Sequence, residues 1–130
     1  PLGMMLGRHT ADICISEWKR YRGGRVGEIW LDQSGLGNFQ MLPVLKDIPK
    51  CSPVWVGQRI YFTSDHAEGR PANIFSCNLK GEDLQQHTHD NKGFYARDLS
   101  TDGETIVYHA GGSLYAYSIA EDTVTELGTR

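Results

Sequence analysis

No apolar run in this 130-residue chain exceeds a few positions, so no segment can cross a membrane as a helix. No amino-terminal stretch joins a basic segment, an apolar core and a small-residue cleavage site, so no secretory leader is read. Cysteine is scarce: Cys14, Cys51 and Cys77 are an odd number, widely spaced, with no C-x-x-C pair. That pattern fits neither a zinc-binding framework nor a disulfide framework. Reduced, mostly buried thiols in a cytoplasmic protein are expected instead. Positive charge is not in excess either, with 13 Lys and Arg against 16 Asp and Glu and a net charge of -3, which argues against a nucleic-acid partner. No G-x-S-x-G elbow exists to expose a nucleophilic serine.

What is present is glycine, tyrosine and short alternating runs. Fifteen glycines, six tyrosines, 39% apolar and 22% charged residues describe an ordinary globular chain of the all-β class. Three segments repeat: "EIWLD" (28–32), "NIFSC" (73–77) and "SLYAY" (113–117), with Ile29, Ile74 and Leu114 spaced by 45 and 40 residues. Upstream of the second and third lie "RIYFTSD" (59–65) and "TIVYHA" (105–110); downstream of the three lie "NFQML" (38–42), "DLQQHT" (83–88) and "TVTEL" (123–127). Before those upstream runs, "SPVWV" (52–56) and "FYARDLS" (94–100) supply a further strand each. Turns fall at Lys80-Gly81, Asp102-Gly103 and Gly111-Gly112, where glycine supplies positive φ without steric cost. Four short strands repeating every forty-odd residues predict β-propeller blades.

The blade count predicts about three four-stranded blades, the first incomplete. Residues 1–3 read as the remnant of a cleaved tag. Residues 4–48 hold the first blade, with its second strand at "MMLGRHT" (4–10), no innermost strand, and a long insertion at 11–27. The second blade spans 49–90 and the third 91–130. Three blades do not close a ring, so the chain is expected to be a propeller fragment, or to assemble with copies of itself.

Three strings carry a resemblance: "WKRYRGGRVGEIWLD", "PVWVGQRIYFTSDHAEG" and "DLQQHTHDNKGFYARDLSTDGETIVYHAGGSLYAY". In that order and spacing the chain resembles the tricorn protease family from Met4 to its end. The resemblance implies the later half of an amino-terminal six-bladed propeller, followed in the family by a seven-bladed propeller and the protease domains. It implies a cytoplasmic serine peptidase that degrades oligopeptides downstream of the proteasome, with the propeller as scaffold and peptide channel or gate. The family's catalytic serine and histidine lie in a portion that no segment here matches, so no catalytic residue carries over. The alternative is a stand-alone oligomerising module that binds proteins or peptides. A TolB-like propeller is a weaker alternative, disfavoured by the "WKRYRGG" insertion.

Among individual residues, Arg20, Arg22 and Arg25 are the candidate peptide or partner contacts. They surround Trp18 and Tyr21, and the competing reading is an insertion loop in which arginines stack on those rings and pair with Glu17 or Glu28. In "HTHDN", His87 and His89 share one face with Asp90 adjacent, and Asp65 and His66 lie in the preceding loop, but no spacing completes a metal site. Ser64, Ser100 and Ser113 lie near histidines without an elbow; the carboxylates of Glu82, Asp83, Glu121 and Asp122 fall in turns. Trp30, Trp55, Tyr61, Phe75, Tyr108 and Tyr115 are assigned to packing between blades. No catalytic residue, cofactor or metal is expected. The expected partners are a second copy in a homodimer closing a six-bladed ring, or the missing half-propeller, with oligopeptides as ligands.

Overall fold

The computed structural model of the chain describes residues 3–8, 28–46, 48, 50–65, 72–89 and 95–129. Their strands form three antiparallel sheets that follow one another in chain order. The first sheet contains β1 (Met4–Arg8), β2 (Glu28–Asp32) and β3 (Gln40–Met41). The second contains β4 (Lys50–Val56), β5 (Arg59–Ser64), β6 (Asn73–Asn78) and β7 (Gln85–Gln86). The third contains β8 (Arg97–Thr101), β9 (Thr105–Ala110), β10 (Ser113–Ser118) and β11 (Thr123–Thr129). No helix among these residues is long and apolar enough to cross a membrane.

Each pairing is a meander, and the turns show why. Between β9 and β10, Ala110 faces Ser113 across Gly111 and Gly112, both at positive φ (58° and 86°). Two left-handed residues in a two-residue loop make the type I′ turn, whose twist suits a hairpin and which glycine adopts without penalty. The repeated aliphatic–aromatic segments become β2, β6 and β10, the next-to-last strand of each sheet, and β1 pairs with β2 from Met4↔Asp32 to Arg8↔Glu28.

Side-chain alternation explains how the sheets stack. In β5, Ile60 and Phe62 face the first sheet while Tyr61 faces the third; in β6, Phe75 and Cys77 face the first and Ile74 the third. A sheet covered on both faces reads as a nearly continuous apolar run, and "RIYF" and "NIF" do. One core joins Ile29, Leu31, Leu42 and Val44 of the first unit to that surface. The other joins Ile106, Tyr108, Ala110 and Tyr117 of the third unit to Tyr61 and Ile74. Fully burying each large apolar side chain contributes about 1.5–3 kcal/mol.

Of the aromatics assigned to inter-sheet packing, Tyr61, Phe75 and Tyr108 are buried, and Trp55 and Tyr115 pack against the two cores. Trp30 departs from that assignment. It sits between Ile29 and Leu31, so strand alternation turns it to the opposite face, where it is half-buried.

Candidate functional site

In a propeller the first strand of each blade faces the central channel, and β4 and β8 hold that position side by side. Both break their ladders at the same height. The register of β4 shifts between Cys51 and Val54, that of β8 between Arg97 and Ser100. In each bulge one non-glycine residue is left-handed: Ser52 at φ 53° and Asp98 at φ 56°. Pro53, with no N–H to give to a ladder, explains the first bulge. A backbone of this kind is held by its surroundings and recurs at functional sites.

Between the two bulges lies a cavity of about 230 Å³ lined by Cys51, Ser52, Thr63, Arg97, Asp98 and His109, among others. Asp98 Oδ2 meets His109 Nε2 at 2.5 Å, a contact across the β8–β9 pair. Arg97 is half-buried, and among the described residues its guanidinium makes no hydrogen bond or ion pair. Cys51 is disulfide-bonded, which corrects the expectation that all three thiols are reduced. Cys77 is a free thiol, wholly buried in the first core, and burial pushes it up to about 11. A thiol held protonated in this way is not a nucleophile.

A second polar constellation links the outer parts of the second and third sheets. His87 Nε2 lies 2.6 Å from Ser76 Oγ, and its Nδ1 lies 3.0 Å from the Tyr117 hydroxyl. Tyr117 donates to Asp122 Oδ1 at 2.7 Å, so it accepts from His87 and the imidazole proton belongs on Nδ1. Nε2 then accepts from the Ser76 hydroxyl, and Ser76 Oγ in turn accepts from Arg59 Nε at 2.8 Å. Arg59 also grips Asp83, with 2.8 Å to Oδ2 and 2.6 Å to the backbone carbonyl. Burial pushes His87 below its ordinary value, with Arg59 and His89 acting in the same direction and Asp122 opposing.

A serine 2.6 Å from a histidine has the geometry of a nucleophile and its base, but Ser76 is 0% exposed, so no substrate atom reaches Oγ. The relay is a buried strut. Sequence reading picked out Ser64, Ser100 and Ser113 and passed over Ser76, whose histidine lies on the following strand's exit.

Of the other candidate residues, Arg20, Arg22, Arg25, Trp18 and Tyr21 lie outside the described residues, as do His66 and Asp90. His89 is exposed and does not share the relay, and Asp65 is buried. Glu82 and Asp83 fall in the loop after β6, and Glu121 and Asp122 in the turn before β11. No group of three or more His, Cys, Asp or Glu side chains that could hold a metal gathers among the described residues.

Residues 4–123 match the family model for the tricorn protease N-terminal β-propeller domain. The tricorn protease of Thermoplasma volcanium is 42% identical over 122 residues, covering 94% of this chain and 11% of the relative. Tricorn protease homolog 1 of Streptomyces coelicolor is 46% identical over 98 residues, covering 75% of this chain and 9% of the relative. A crystal structure of the tricorn protease superimposes with a TM-score of 0.83 at 35% identity, over 98% of this chain and 12% of that one. The chain thus spans about a tenth of the length of the curated relatives it matches.

Proposed function

The chain belongs to the tricorn protease N-terminal β-propeller family, and from that premise we propose that it is a non-catalytic scaffold and peptide conduit. It serves a serine peptidase that degrades oligopeptides and carries its catalytic residues in another part of the protein. The observation that carries this reading is the pair of bulged inner strands, β4 and β8, which present a polar cavity on the channel side. Among the described residues, the Ser76–His87 contact is sealed from substrate. The test is direct. The purified chain is incubated with labelled oligopeptides and followed for both binding and cleavage. Binding without turnover is expected. Turnover that survives repurification and is lost on a single substitution in this chain overturns the reading.

A second reading, an oligomerising module, rests on the outer face of the third sheet. Val107 (40% exposed) and Leu114 (41%) lie on the face turned away from the second sheet. Apolar side chains on a flat sheet face mark a docking surface. A second copy presenting its first sheet would cover this one, and a two-fold pair of three-sheet units makes six. Light scattering is expected to give twice the chain mass; a monodisperse monomer at high concentration excludes this arrangement.

A further inference from the structure

The outermost strands of the three sheets are unequal. β3 and β7 are two residues long each, whereas β11 runs for seven, Thr123–Thr129. Each has a neighbour on one side only, so its other edge is free among the described residues. Sheet edges are usually blunted by shortness, by proline or lysine, or by a bulge. β3 and β7 are short. β11 contains no proline and no lysine, and its bulge falls late, at Leu127, which has no partner between Glu126↔Tyr115 and Gly128↔Leu114. From Thr123 to Glu126 the edge is regular, and every residue of it is exposed.

The register fixes which groups that edge offers. Ala110 and Ser113 flank the two-residue type I′ turn and so form a hydrogen-bonded pair. Alternation along β10 then turns the backbone of Ala116 and Ser118 toward β11, where they meet Thr125 and Thr123. The N–H and C=O groups of Val124 and Glu126 therefore point the other way, to the open edge. Their side chains share a face with Tyr117 and Tyr115, their cross-strand partners, and Val124 is 44% exposed there. The hairpin that carries them, residues 113–129, holds three carboxylates (Glu121, Asp122 and Glu126) and no Lys, Arg or His.

We propose that β11 is a strand-addition site for an extended segment of another protein, docked antiparallel, with a cation opposite Glu126 and an aliphatic residue opposite Val124. Antiparallel order makes these two positions cation–x–aliphatic along the segment, both on one face. Main-chain bonds to Val124 and Glu126 hold the segment, and the two side-chain pairs select it. A second copy's β11 is a poor occupant, because two hairpins that carry carboxylates and no cation repel one another. The site lies at the opposite end of its sheet from β8 and the channel-side cavity, so it stands apart from the conduit reading.

The experiment uses the unaltered chain and a labelled hexapeptide, capped at both ends, with Lys-Thr-Val at its centre. Saturable binding is expected, about fivefold to tenfold tighter than that of the same peptide with Glu-Thr-Val. A methyl group on the threonine nitrogen is expected to be tolerated, because that N–H faces away from β11. One on the lysine or the valine nitrogen is expected to abolish binding. Glu126→Lys, at an exposed position, is expected to reverse the preference between the lysine and glutamate peptides. Equal tolerance of the three methylated peptides overturns strand addition, and so does an absence of binding. An unchanged preference in Glu126→Lys puts the peptide elsewhere and overturns the site. Self-association of the chain that the peptide does not displace means that a second copy occupies the edge, and overturns the assignment to a foreign segment.

Discussion

Tyr117 of the third sheet accepts a hydrogen bond from His87 Nδ1, beside the second sheet, at 3.0 Å and donates one to Asp122 Oδ1 at 2.7 Å. The tyrosine is 2% exposed, and its ring also packs against the imidazole with centroids 5.5 Å apart. Two sheets are therefore tied by a directional chain of donors running from Arg59 through Ser76 and His87 to Asp122. Replacing Tyr117 with Phe keeps the ring and removes the link, leaving the partly buried His87 N–H without its acceptor. A loss of about 1–3 kcal/mol in urea unfolding is expected. No change would show that water replaces the hydroxyl.

The same relay sets a dependence on pH. Unfolded His87 titrates near 6.5 and folded His87 below it, because burial disfavours the imidazolium. Between those two values the unfolded chain binds more protons, so stability is full above 6.5 and declines as the pH falls below it. Asp32 acts in a lower window. Its carboxylate accepts from the Ser34 hydroxyl and from the N–H groups of Ser34, Gly35 and Gly37, which hold it below its ordinary 3.8. Its contribution is present above 3.8 and is lost as the pH falls through the folded value. Urea midpoints are expected to drop as the pH falls below about 6.5 in the unaltered chain, and His87→Asn to flatten that drop.

Gly81 in the β6–β7 loop tests the fit between the first and second units. Its φ is 81°, and a Cβ there would lie 2.7 Å from Pro43 Cδ and 3.1 Å from Pro43 N. Both the left-handed backbone and the proline resist a side chain. Gly81→Ala is expected to cost at least about 1–2 kcal/mol, whereas Gly57→Ala, also left-handed at φ 59° but in open space, reports a backbone cost alone. Similar losses at the two sites would mean that Pro43 yields.

Strand order was legible because the evidence for it is local. Alternation in "TIVYHA" assigns Ile106 and Tyr108 to one face and Val107 to the other, and Gly111-Gly112 fixes the hairpin. Pro53 marks the first bulge, but residues 52–56 were read from the sequence as an unbroken strand. The second bulge, at Asp98, had no such marker, so the cavity between them could not be foreseen. Nor could the relay, since His87 and Tyr117 are 30 residues apart and meet only when two sheets stack in one register. The cysteine count misled for a related reason. An odd total says nothing about whether two of the three are brought together, and Cys51 is bonded while Cys77 is free.

Lys50 offers the sharpest test of how the first two units are joined. Its side chain is 0% exposed, an unusual place for a strongly hydrated ammonium. The cost of burial is offset by donors placed on three acceptors: the carbonyls of Leu45 and Ile48, each at 2.6 Å, and Glu28 Oε1 at 3.3 Å. Glu28 belongs to β2 and Lys50 begins β4, so the contact crosses from one sheet to the next. Lys50→Met fills most of the same space but strands a carboxylate that is only 13% exposed, together with two carbonyls. Breaking one side of such a pair costs about 3–5 kcal/mol, and that loss is the expected result. Glu28→Gln added to Lys50→Met removes the orphaned charge and is expected to restore part of the stability. If Lys50→Met alone is neutral, the ion pair is not what joins these sheets, and the apolar core around Ile29 and Phe62 suffices.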